Sequence, residues 1–259
     1  MLLVMDIGNT TMAAGIYDNE NLIAHWRLSS ILHTSDELGI YLLNLLNIKG
    51  LNKNQISGAS FASVVPPLDF PFSEAIKNYF GFTPLKVDAF TETGMQIKYK
   101  TPREVGADRI VAAYAGREKY GTPLIVADYG TAITLDAIDK DGAYLGGAIA
   151  PGLTSGISAL FSKAAKLPQV ALKIPESVIG GNTEESIQSG ILYGNAGLTD
   201  RIIDLMREKI GSNAKVVATG GHAELMSKVS KNIDYVDSWL MLEGLRLIYE
   251  KCEKCKKSV

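Results

Sequence analysis

The sequence has 259 residues, of which 46% are hydrophobic and 21% charged, which is typical of a globular protein with a sizeable core. Its 26 basic and 28 acidic side chains give a net charge of −2, which disfavours nucleic acid and anionic membranes as partners. Only a short apolar run precedes Asp6, so no secretory signal is predicted and we expect a cytoplasmic protein.

The first predicted element is an apolar strand in Leu2–Thr10, which ends in a carboxylate, Asp6, and a glycine turn at Gly8. The elements that follow are strands at Met12–Tyr17 and Leu22–Leu28, a helix at Ser35–Leu46, a strand at Ile56–Val65 and a helix at Leu68–Phe80. This part of the chain therefore predicts the order βββαβα.

A second copy of this unit begins at Leu124–Ala132, where Asp128 matches Asp6 and Gly130 matches Gly8. Its other predicted elements are strands at Ile133–Ile138 and Tyr144–Ile149, a helix at Thr183–Ile210, a strand at Lys215–Ala218 and a helix at His222–Val229. The repeat predicts an α/β fold of two duplicated lobes, residues 1–120 and 121–259, each with a mixed sheet flanked by helices. The two matching turns would face each other across an interlobe cleft.

The glycine pattern excludes the common phosphate-binding loops. No Gly-Lys dipeptide occurs, and no two glycines are separated by one residue, so a Walker A loop, a dinucleotide fingerprint and a protein-kinase glycine loop are all absent. Each Asp-x-Gly turn could instead offer backbone N–H groups and hydroxyls to phosphate oxygens, while its carboxylate holds a hard cation. Asp and Gly are also ordinary turn residues, but two copies at equivalent places favour a functional role.

Four motifs in this order resemble the type III pantothenate kinases, which belong to the superfamily of acetate and sugar kinases, Hsp-type ATPases and actin. The motifs are Asp6-Ile-Gly-Asn-Thr10, Gly106-Ala-Asp-Arg109, Asp128-Tyr-Gly-Thr-Ala132 and Gly181-Asn-Thr-Glu-Glu-Ser186, with Thr219-Gly-Gly221 near the end. The resemblance implies ribonuclease H-like (actin-like ATPase) lobes and the ATP-dependent phosphorylation of pantothenate, the first step of coenzyme A biosynthesis. It also implies a homodimer, Mg²⁺ bound with ATP, and K⁺ or NH4⁺ as activator.

The resemblance also implies roles for individual residues. The implied ATP-binding residues are Asp6, Ile7, Gly8, Asn9, Thr10, Thr11, Met12, Ala13 and Thr131. The implied substrate-binding residues are Tyr99, Gly106, Ala107, Asp108, Arg109 and Thr183. Asp108 would be the proton acceptor, Asp128 would hold the monovalent cation, and Asp6 would bind Mg²⁺ through water. Ile133 and Tyr129 depart from the family pattern, which puts a secondary nucleotide contact in question.

Several of these residues have structural alternatives. The apolar spacing predicts a helix that begins near Ala107, so Asp108 lies in the first turn and could act as a cap. Arg109 could pair with Glu104 or Asp108, Tyr99 could be a half-buried strand aromatic, and Thr183 could be an N-cap. The glycines at Gly146-Gly147 and Gly152 indicate close backbone approach, either to nucleotide or between strand and helix.

Two further features concern partners and cysteines. The helix from Ser186 to Ile210 carries more apolar residues than one core-facing stripe needs, so it is the candidate dimer face, with burial inside the subunit as the alternative. Cys252 and Cys255 form a C-x-x-C pair in a lysine-rich tail, where two solvated thiols are favoured over a redox or zinc role.

Three other functions compete with a pantothenate kinase. A small sugar or acetate kinase would share the Asp-x-Gly turns, but the Gly-Ala-Asp-Arg and Gly-Asn-Thr-Glu-Glu-Ser motifs argue against it. A nucleotide-sensing regulatory or accessory protein could use the same fold, although the net charge disfavours direct DNA contact. A filament protein is disfavoured because the chain is short.

Overall fold

A computed structural model describes residues 1–163 and 170–257 of the chain. The chain divides into two compact units, and each unit is built from separate stretches of sequence. The first unit contains Met1–Gly94, Thr101–Ala115 and Met241–Val259, and the second contains Met95–Lys100 and Gly116–Leu240. Compared with the predicted boundary after residue 120, three segments therefore change sides: Met95–Lys100, residues 116–120 and the C-terminal helix.

The described residues contain ten strands, seven α-helices and two short 3₁₀ helices, Lys53–Gln55 and Pro102–Glu104. The strands are β1 (Leu2–Ile7), β2 (Thr11–Asp18), β3 (Asn21–Ser29), β4 (Gly58–Ser63), β5 (Leu85–Val87), β6 (Leu124–Tyr129), β7 (Ala132–Ile138), β8 (Tyr144–Pro151), β9 (Lys215–Thr219) and β10 (Tyr235–Val236). The helices are α1 (Ser35–Ile48), α2 (Pro66–Phe80), α3 (Ala107–Tyr120), α4 (Leu153–Lys163), α5 (Thr183–Ile210), α6 (Ala223–Met226) and α7 (Leu240–Lys257).

The two units have sheets of the same topology, which confirms the predicted α/β fold with a repeated unit. The sheet orders are β3-β2-β1-β4-β5 and β8-β7-β6-β9-β10. In each sheet the first three strands pair antiparallel, and the last two lie parallel to the first strand of the unit. Both sheets also have a register shift at the far end of the second and third strands, next to Tyr17 and Ile138. A shared irregularity of this kind is a feature of duplicated architecture.

Each unit has its own apolar core. In the first unit, Met5, Ile7 and Met12 from the sheet pack with Leu38 of α1 and Phe72 of α2, and all five side chains are fully buried. In the second unit the corresponding layer of β6 and β7 packs against α4 and α5. This arrangement follows from the strand periodicity, since every second side chain of β1 and β6 points to the same face of its sheet.

Local signals explain where the helices of the first unit begin and end. The Thr34 side chain accepts from the N–H of Glu37 and the Glu37 carboxylate accepts from the N–H of Thr34, which is a complete capping box for α1. Helix α2 begins with Pro66 and is capped after Phe80 by Gly81, whose φ of +87° is the left-handed conformation that favours glycine.

The predicted elements agree with the structure except at a few places. Strand β4 is shorter than the predicted Ile56–Val65, and the predicted helix at His222–Val229 is helical only at Ala223–Met226, with turns continuing to Ser230. The strands β5 and β10 and the helix α4 were not predicted, and no bounds were predicted for α7. Two- and three-residue strands are too short to show a periodicity, so pairing with a neighbouring strand defines them.

Candidate functional site

The first Asp-x-Gly turn joins β1 to β2. Asp6 is the second-last residue of β1 and is half-buried, while Asn9, Thr10 and Thr11 are exposed. The N–H of Gly8 donates to the carbonyl of Thr11 at 3.1 Å, which closes the hairpin. Ser30, the residue after β3, fastens the turn: its hydroxyl donates to the carbonyl of Gly8, and its N–H donates to the carbonyl of Thr10 at 3.0 Å.

The predicted ATP-binding segment divides into a surface part and a core part. Ile7 and Met12 are fully buried in the core of the first unit, so only their backbone could meet a ligand. Gly8 and the three residues after it form the accessible part of the turn. Ala13 lies in β2, in register with Asp6.

Asp108 lies in the first turn of α3, as predicted. One oxygen of its carboxylate accepts from the N–H of Arg109 at 2.8 Å, and the same oxygen closely approaches the place where a Cβ on Gly106 would lie. That position is also 3.7 Å from Cγ1 of Val64, whose N–H donates to the carbonyl of Ile7 at 3.0 Å. The start of α3 therefore lies at the same edge of the first sheet as Asp6.

The two residues beside Asp108 in the motif are buried. Ala107 is 8% exposed and Arg109 is 7% exposed. Because few charged side chains are buried to this degree without partners, Arg109 is held in place by the protein. Only a small part of its surface is available to a ligand.

The second Asp-x-Gly turn joins β6 to β7. Asp128 is half-buried, and the N–H of Gly130 donates to the carbonyl of Ala132 at 3.0 Å. The carboxylate of Asp128 lies against Gly220, whose φ is +89°. A Cβ on Gly220 would overlap that carboxylate and would lie 2.8 Å from the backbone of Tyr129. Glycine at this position is therefore a condition for the observed placement of Asp128.

Thr131 is exposed at the tip of the second turn. Its carbonyl accepts from the N–H of Gly152 at 3.2 Å and from the hydroxyl of Ser155 at 2.8 Å, so the start of α4 fastens this turn. Gly152 packs directly against the carbonyls of Gly130 and Thr131. This contact accounts for one of the glycines in the predicted region of close backbone approach.

The two departures from the family pattern lie in the core. Tyr129 and Ile133 are fully buried, in the apolar cluster of the second unit. The phenol of Tyr129 donates to the hydroxyl of Thr199 at 3.2 Å, and burial raises the pKa of Tyr129 to about 12. Tyr129 takes the same place in β6 that Ile7 takes in β1, so its bulk fills the core beneath the turn.

Tyr99 belongs to the segment Met95–Lys100, which adds to the outer edge of β8. The N–H of Tyr144 donates to the carbonyl of Gln96, and the N–H of Lys98 donates to the carbonyl of Tyr144, both at 2.8 Å. The sequence predicted that Gly146 and Gly147 approach either nucleotide or a helix closely. In the structure the ring of Tyr99 packs against Gly146, and Gly147 lies against the carbonyl of Leu135. Neither glycine is explained by packing against a helix.

Thr183 is exposed at the first position of α5, but it is not the N-cap. Asn182 takes that role, because its side chain accepts from the N–H of Glu185 at 2.9 Å. The Glu185 carboxylate accepts in return from the N–H of Gly181 at 2.8 Å. The alternative role predicted for Thr183 was therefore wrong, since the amide oxygen of the preceding residue reaches the same donor.

The structure brings some of the predicted residues together within each unit. In the first unit, Asp6, the turn after it and Asp108 share one edge of the sheet. In the second unit, Asp128 and Thr131 lie at one turn, and Tyr99 contacts Gly146 on β8. Across the sheet, Asp128 pairs with Thr134, which in turn pairs with Ile149 of β8. Gly146 is three residues from Ile149 along that strand. Three residues of strand correspond to about 10 Å.

Sequence reasoning missed two residues that shape the turns, Ser30 and Ser155. A single serine after a strand or in the first turn of a helix carries no distinctive pattern. Only the folded chain brings their hydroxyls to the carbonyls of Gly8 and Thr131.

The carboxylates of the two turns suit cations that take most of their ligands from elsewhere. Among the residues that the structure describes, no three His, Cys, Asp or Glu side chains group closely enough to hold a metal ion. Mg²⁺ is usually bound through one or two carboxylates together with waters and substrate phosphates. A single half-buried carboxylate per turn, Asp6 or Asp128, fits that pattern.

Two sheets of the same order, each with an Asp-x-Gly turn after its first strand, define a protein of the actin-like α/β class. Solved structures share this fold. One is a Campylobacter jejuni protein described as a transcriptional activator of the Baf family, 19% identical over 97% of this chain and 99% of its own, with a TM-score of 0.63. Another is the activator of 2-hydroxyisocaproyl-CoA dehydratase from Clostridium difficile, 16% identical over 100% of this chain and 97% of its own, with a TM-score of 0.58.

Sequence comparison identifies the family within this class. The family model for type III pantothenate kinase matches residues 2–205. A type III pantothenate kinase of Geobacter sulfurreducens is 48% identical over 97% of this chain and 99% of its own length. One from Exiguobacterium is 46% identical over 98% of this chain and 100% of its own. This chain belongs to the type III pantothenate kinase family.

Proposed function

We propose that this protein transfers the γ-phosphoryl group of ATP to the primary hydroxyl of pantothenate, giving 4′-phosphopantothenate for coenzyme A biosynthesis. The observation that carries the proposal is the near-complete coverage of relatives named type III pantothenate kinase at 46% to 48% identity. The motifs from which the activity was predicted lie on turns and at helix starts.

In this proposal Asp108 is the general base. Its place in the first turn of α3 favours the ionised carboxylate, because the positive end of the helix dipole lies there. An ionised Asp can orient the hydroxyl of pantothenate and accept its proton as the oxygen bonds to phosphorus. The contact with the N–H of Arg109 fixes the position of one carboxylate oxygen of Asp108.

The turn from Gly8 to Thr11 is proposed to bind the phosphates of ATP, with Thr131 adding a hydroxyl. The carbonyls of Gly8, Thr10 and Thr11 already accept hydrogen bonds from the protein, which suits an anion, because the carbonyls that would repel phosphate are engaged. Backbone amides can then approach the phosphate oxygens.

Two cations complete the proposed site. Asp6 would hold Mg²⁺ through water, and Asp128 would hold K⁺ or NH4⁺. Bound cations offset the repulsion between carboxylates and a triphosphate and lower the cost of charge in the transition state. The chain itself contributes the carboxylates and their placement, since Gly220 fixes Asp128 and the β1–β2 hairpin fixes Asp6.

The substrate contacts and the assembly are proposals of the same kind. Tyr99, Gly106, Ala107, Arg109 and Thr183 would contact pantothenate. The protein would be a cytoplasmic homodimer. On the candidate dimer helix, Ile191, Leu192, Ile202 and Ile203 pack into the core of the second unit, and Leu205 remains 41% exposed. None of the described helices is both long and apolar enough to cross a membrane.

The test is an assay of ADP formation by the purified protein with pantothenate, Mg²⁺ and ATP, with K⁺, NH4⁺ or Na⁺ as the added cation. We expect turnover that requires Mg²⁺ and is stimulated by K⁺ or NH4⁺, with 4′-phosphopantothenate identified by mass spectrometry. A parallel panel of sugars and acetate tests the competing kinase activities. Turnover with a sugar or acetate but not with pantothenate would reject the proposal.

A further inference from the structure

Gly146 lies in strand β8, and the ring of Tyr99 packs against it. Its φ is +111°, a conformation that residues with side chains rarely adopt. A Cβ at this position would lie 2.8 Å from both Cδ2 and Cε2 of the Tyr99 ring, much closer than van der Waals contact allows. Those two atoms form one side of an aromatic ring, so the ring as a whole would have to move.

The backbone that leads to Tyr99 is held by hydrogen bonds to β8. The residues before it, Gln96 and Lys98, hydrogen-bond to the N–H and the carbonyl of Tyr144. Nζ of Lys98 contacts the carboxylate of Asp139 at 2.9 Å, which adds a side-chain link to the turn after β7. A clash at Gly146 is therefore relieved by rotation of the Tyr99 side chain more readily than by displacement of the segment.

A second aromatic ring limits where Tyr99 can rotate. The ring centroids of Tyr99 and Tyr144 are 6.4 Å apart at an angle of 47°. Tyr144 is itself fixed, because it is fully buried and its hydroxyl donates to the buried carboxylate of Asp136 at 2.7 Å. The orientation of Tyr99 thus depends on the absence of a side chain at position 146.

We propose that Gly146 is a positioning residue for pantothenate binding. Because it has no side chain, the ring of Tyr99 can pack against it in the observed orientation. The inference rests on the proposed function, in which Tyr99 contacts pantothenate. Gly146 touches no reacting atom, and it lies about 10 Å along the strands from the level of Asp128. A larger residue at position 146 weakens the binding of pantothenate and leaves the nucleotide and cation sites unchanged.

The central experiment compares Gly146→Ala, Tyr99→Ala and the double variant. We expect Gly146→Ala to raise KM for pantothenate about fivefold to tenfold, the size of one lost hydrogen bond with its packing, while kcat and KM for ATP change less than about twofold. Tyr99→Ala raises the same KM, and Gly146→Ala adds little to it in the double variant, because no ring remains to be displaced.

Gly121→Ala is the matched control for backbone strain. Gly121 also has a positive φ, +77°, but a Cβ there meets no atom within 4 Å. It should therefore lower the melting temperature with no change in either KM. Lys98→Ala supplies an independent test that avoids strain, since removing the contact with Asp139 loosens the segment and raises KM for pantothenate about twofold.

The outcomes separate this inference from the proposed function. Wild-type protein without pantothenate phosphorylation rejects the proposed function itself. Active wild-type protein with an unchanged KM for pantothenate in Gly146→Ala overturns the inference alone, and so do equal rises of both KM values or additive effects in the double variant. If Gly146→Ala is insoluble, recovery of folded protein when Tyr99→Ala is added supports the clash with the ring. In that case Lys98→Ala provides the kinetic test, and an unchanged KM for pantothenate in this variant overturns the inference.

Discussion

The two Asp-x-Gly turns have the same strand frame but differ in length and surroundings. Both aspartates occupy the second-last position of a strand that pairs antiparallel with the next. The first turn spans residues 8–11 between the paired Ile7 and Met12, whereas the second spans 130–132 between Tyr129 and Ile133. The first turn is therefore one residue longer than the second.

The two turns are fastened by different elements. Ser30, after the edge strand β3, holds the carbonyls of the first turn, and Gly152 and Ser155 at the start of α4 hold the second. Their neighbours differ as well. The N–H of Val64, which lies near Gly106, donates to the carbonyl of Ile7, while the corresponding donor to Tyr129 is His222, two residues after Gly220. The duplicated frame therefore places Asp108 beside the first turn and holds Asp128 against Gly220 at the second, and we propose different roles for these two carboxylates.

The largest effect is expected for Asp108, the proposed proton acceptor in the first unit. Asp108→Asn should lower kcat about 10²- to 10⁴-fold, because the amide cannot accept the proton of pantothenate. The amide oxygen can still accept from the N–H of Arg109, so thermal unfolding should match wild type. Pantothenate phosphorylation at a near-normal rate in this variant would remove Asp108 from the role.

A large effect on stability is also expected for Gly220, the glycine that lies against Asp128 of the second turn. Gly220→Ala should destabilise the protein by about 2–4 kcal/mol, since it adds a strained φ to an overlap with Asp128 and the Tyr129 backbone. Gly221→Ala is the matched control, because a Cβ there meets no neighbouring atom within 4 Å. Urea unfolding measures both, and equal losses of stability would contradict the described contact.

The residue beneath each turn is Tyr129 in the second unit and Ile7 in the first, so the stabilities of the two units should depend differently on alkaline pH. The pKa of Tyr129 is raised to about 12, so its contribution to stability is complete below pH ~10 and is lost as the pH rises from about 10 to 12. The loss amounts to about 2–3 kcal/mol, and Ile7 in the first unit has no ionisable group to produce one.

Tyr129→Phe tests this difference. At neutral pH the variant should be less stable than wild type by about 1 kcal/mol, because Thr199 loses its hydrogen-bond partner. In urea unfolding at increasing pH the gap should close and then reverse. A gap that stays constant from pH 8 to 11.5 would show that the phenol does not carry the dependence.

The cation assignments predict a division between the two aspartates. Asp128→Asn should weaken the apparent affinity for K⁺ at least about tenfold and leave the dependence on Mg²⁺ unchanged, because a neutral amide replaces the carboxylate ligand. Asp6→Asn should instead shift the Mg²⁺ dependence. Titrations of activity with each cation test the two assignments. Identical shifts of the K⁺ and Mg²⁺ dependence in both variants would contradict them.

The smallest effects are expected for the serines that fasten the turns. Ser30→Ala should raise KM for ATP by about fivefold and lower stability by about 1 kcal/mol, as expected for one hydrogen bond. Ser155→Ala, the equivalent change at the second turn, should cost similar stability with a smaller effect on KM for ATP, since the N–H of Gly152 still holds Thr131. A larger effect of Ser155→Ala on this KM would reverse the roles of the turns.

The predicted features that agree with the structure are local ones. The start of α3 at Ala107 and the bounds of α5 follow from apolar spacing, and the turns after Asp6 and Asp128 follow from a carboxylate and a glycine after an apolar run. The fine assignment of the α5 cap failed, because Asn182 and Thr183 are both good capping residues and only their backbone conformation distinguishes them.

The sequence by itself determined the repeated βββαβα order, the two turns and the position of Asp108, because strand and helix periods and turn residues act over a few positions. Tertiary structure decided which distant segments complete each unit. Met95–Lys100 pairs with β8, and α7 packs in the first unit, where its buried Arg246 stacks over Tyr17 between two carboxylates. The contacts of Ser30 with Gly8 and of Tyr99 with Gly146 depend equally on distant parts of the chain. Such contacts leave no periodic signal, since they are set by which surfaces meet when the chain folds.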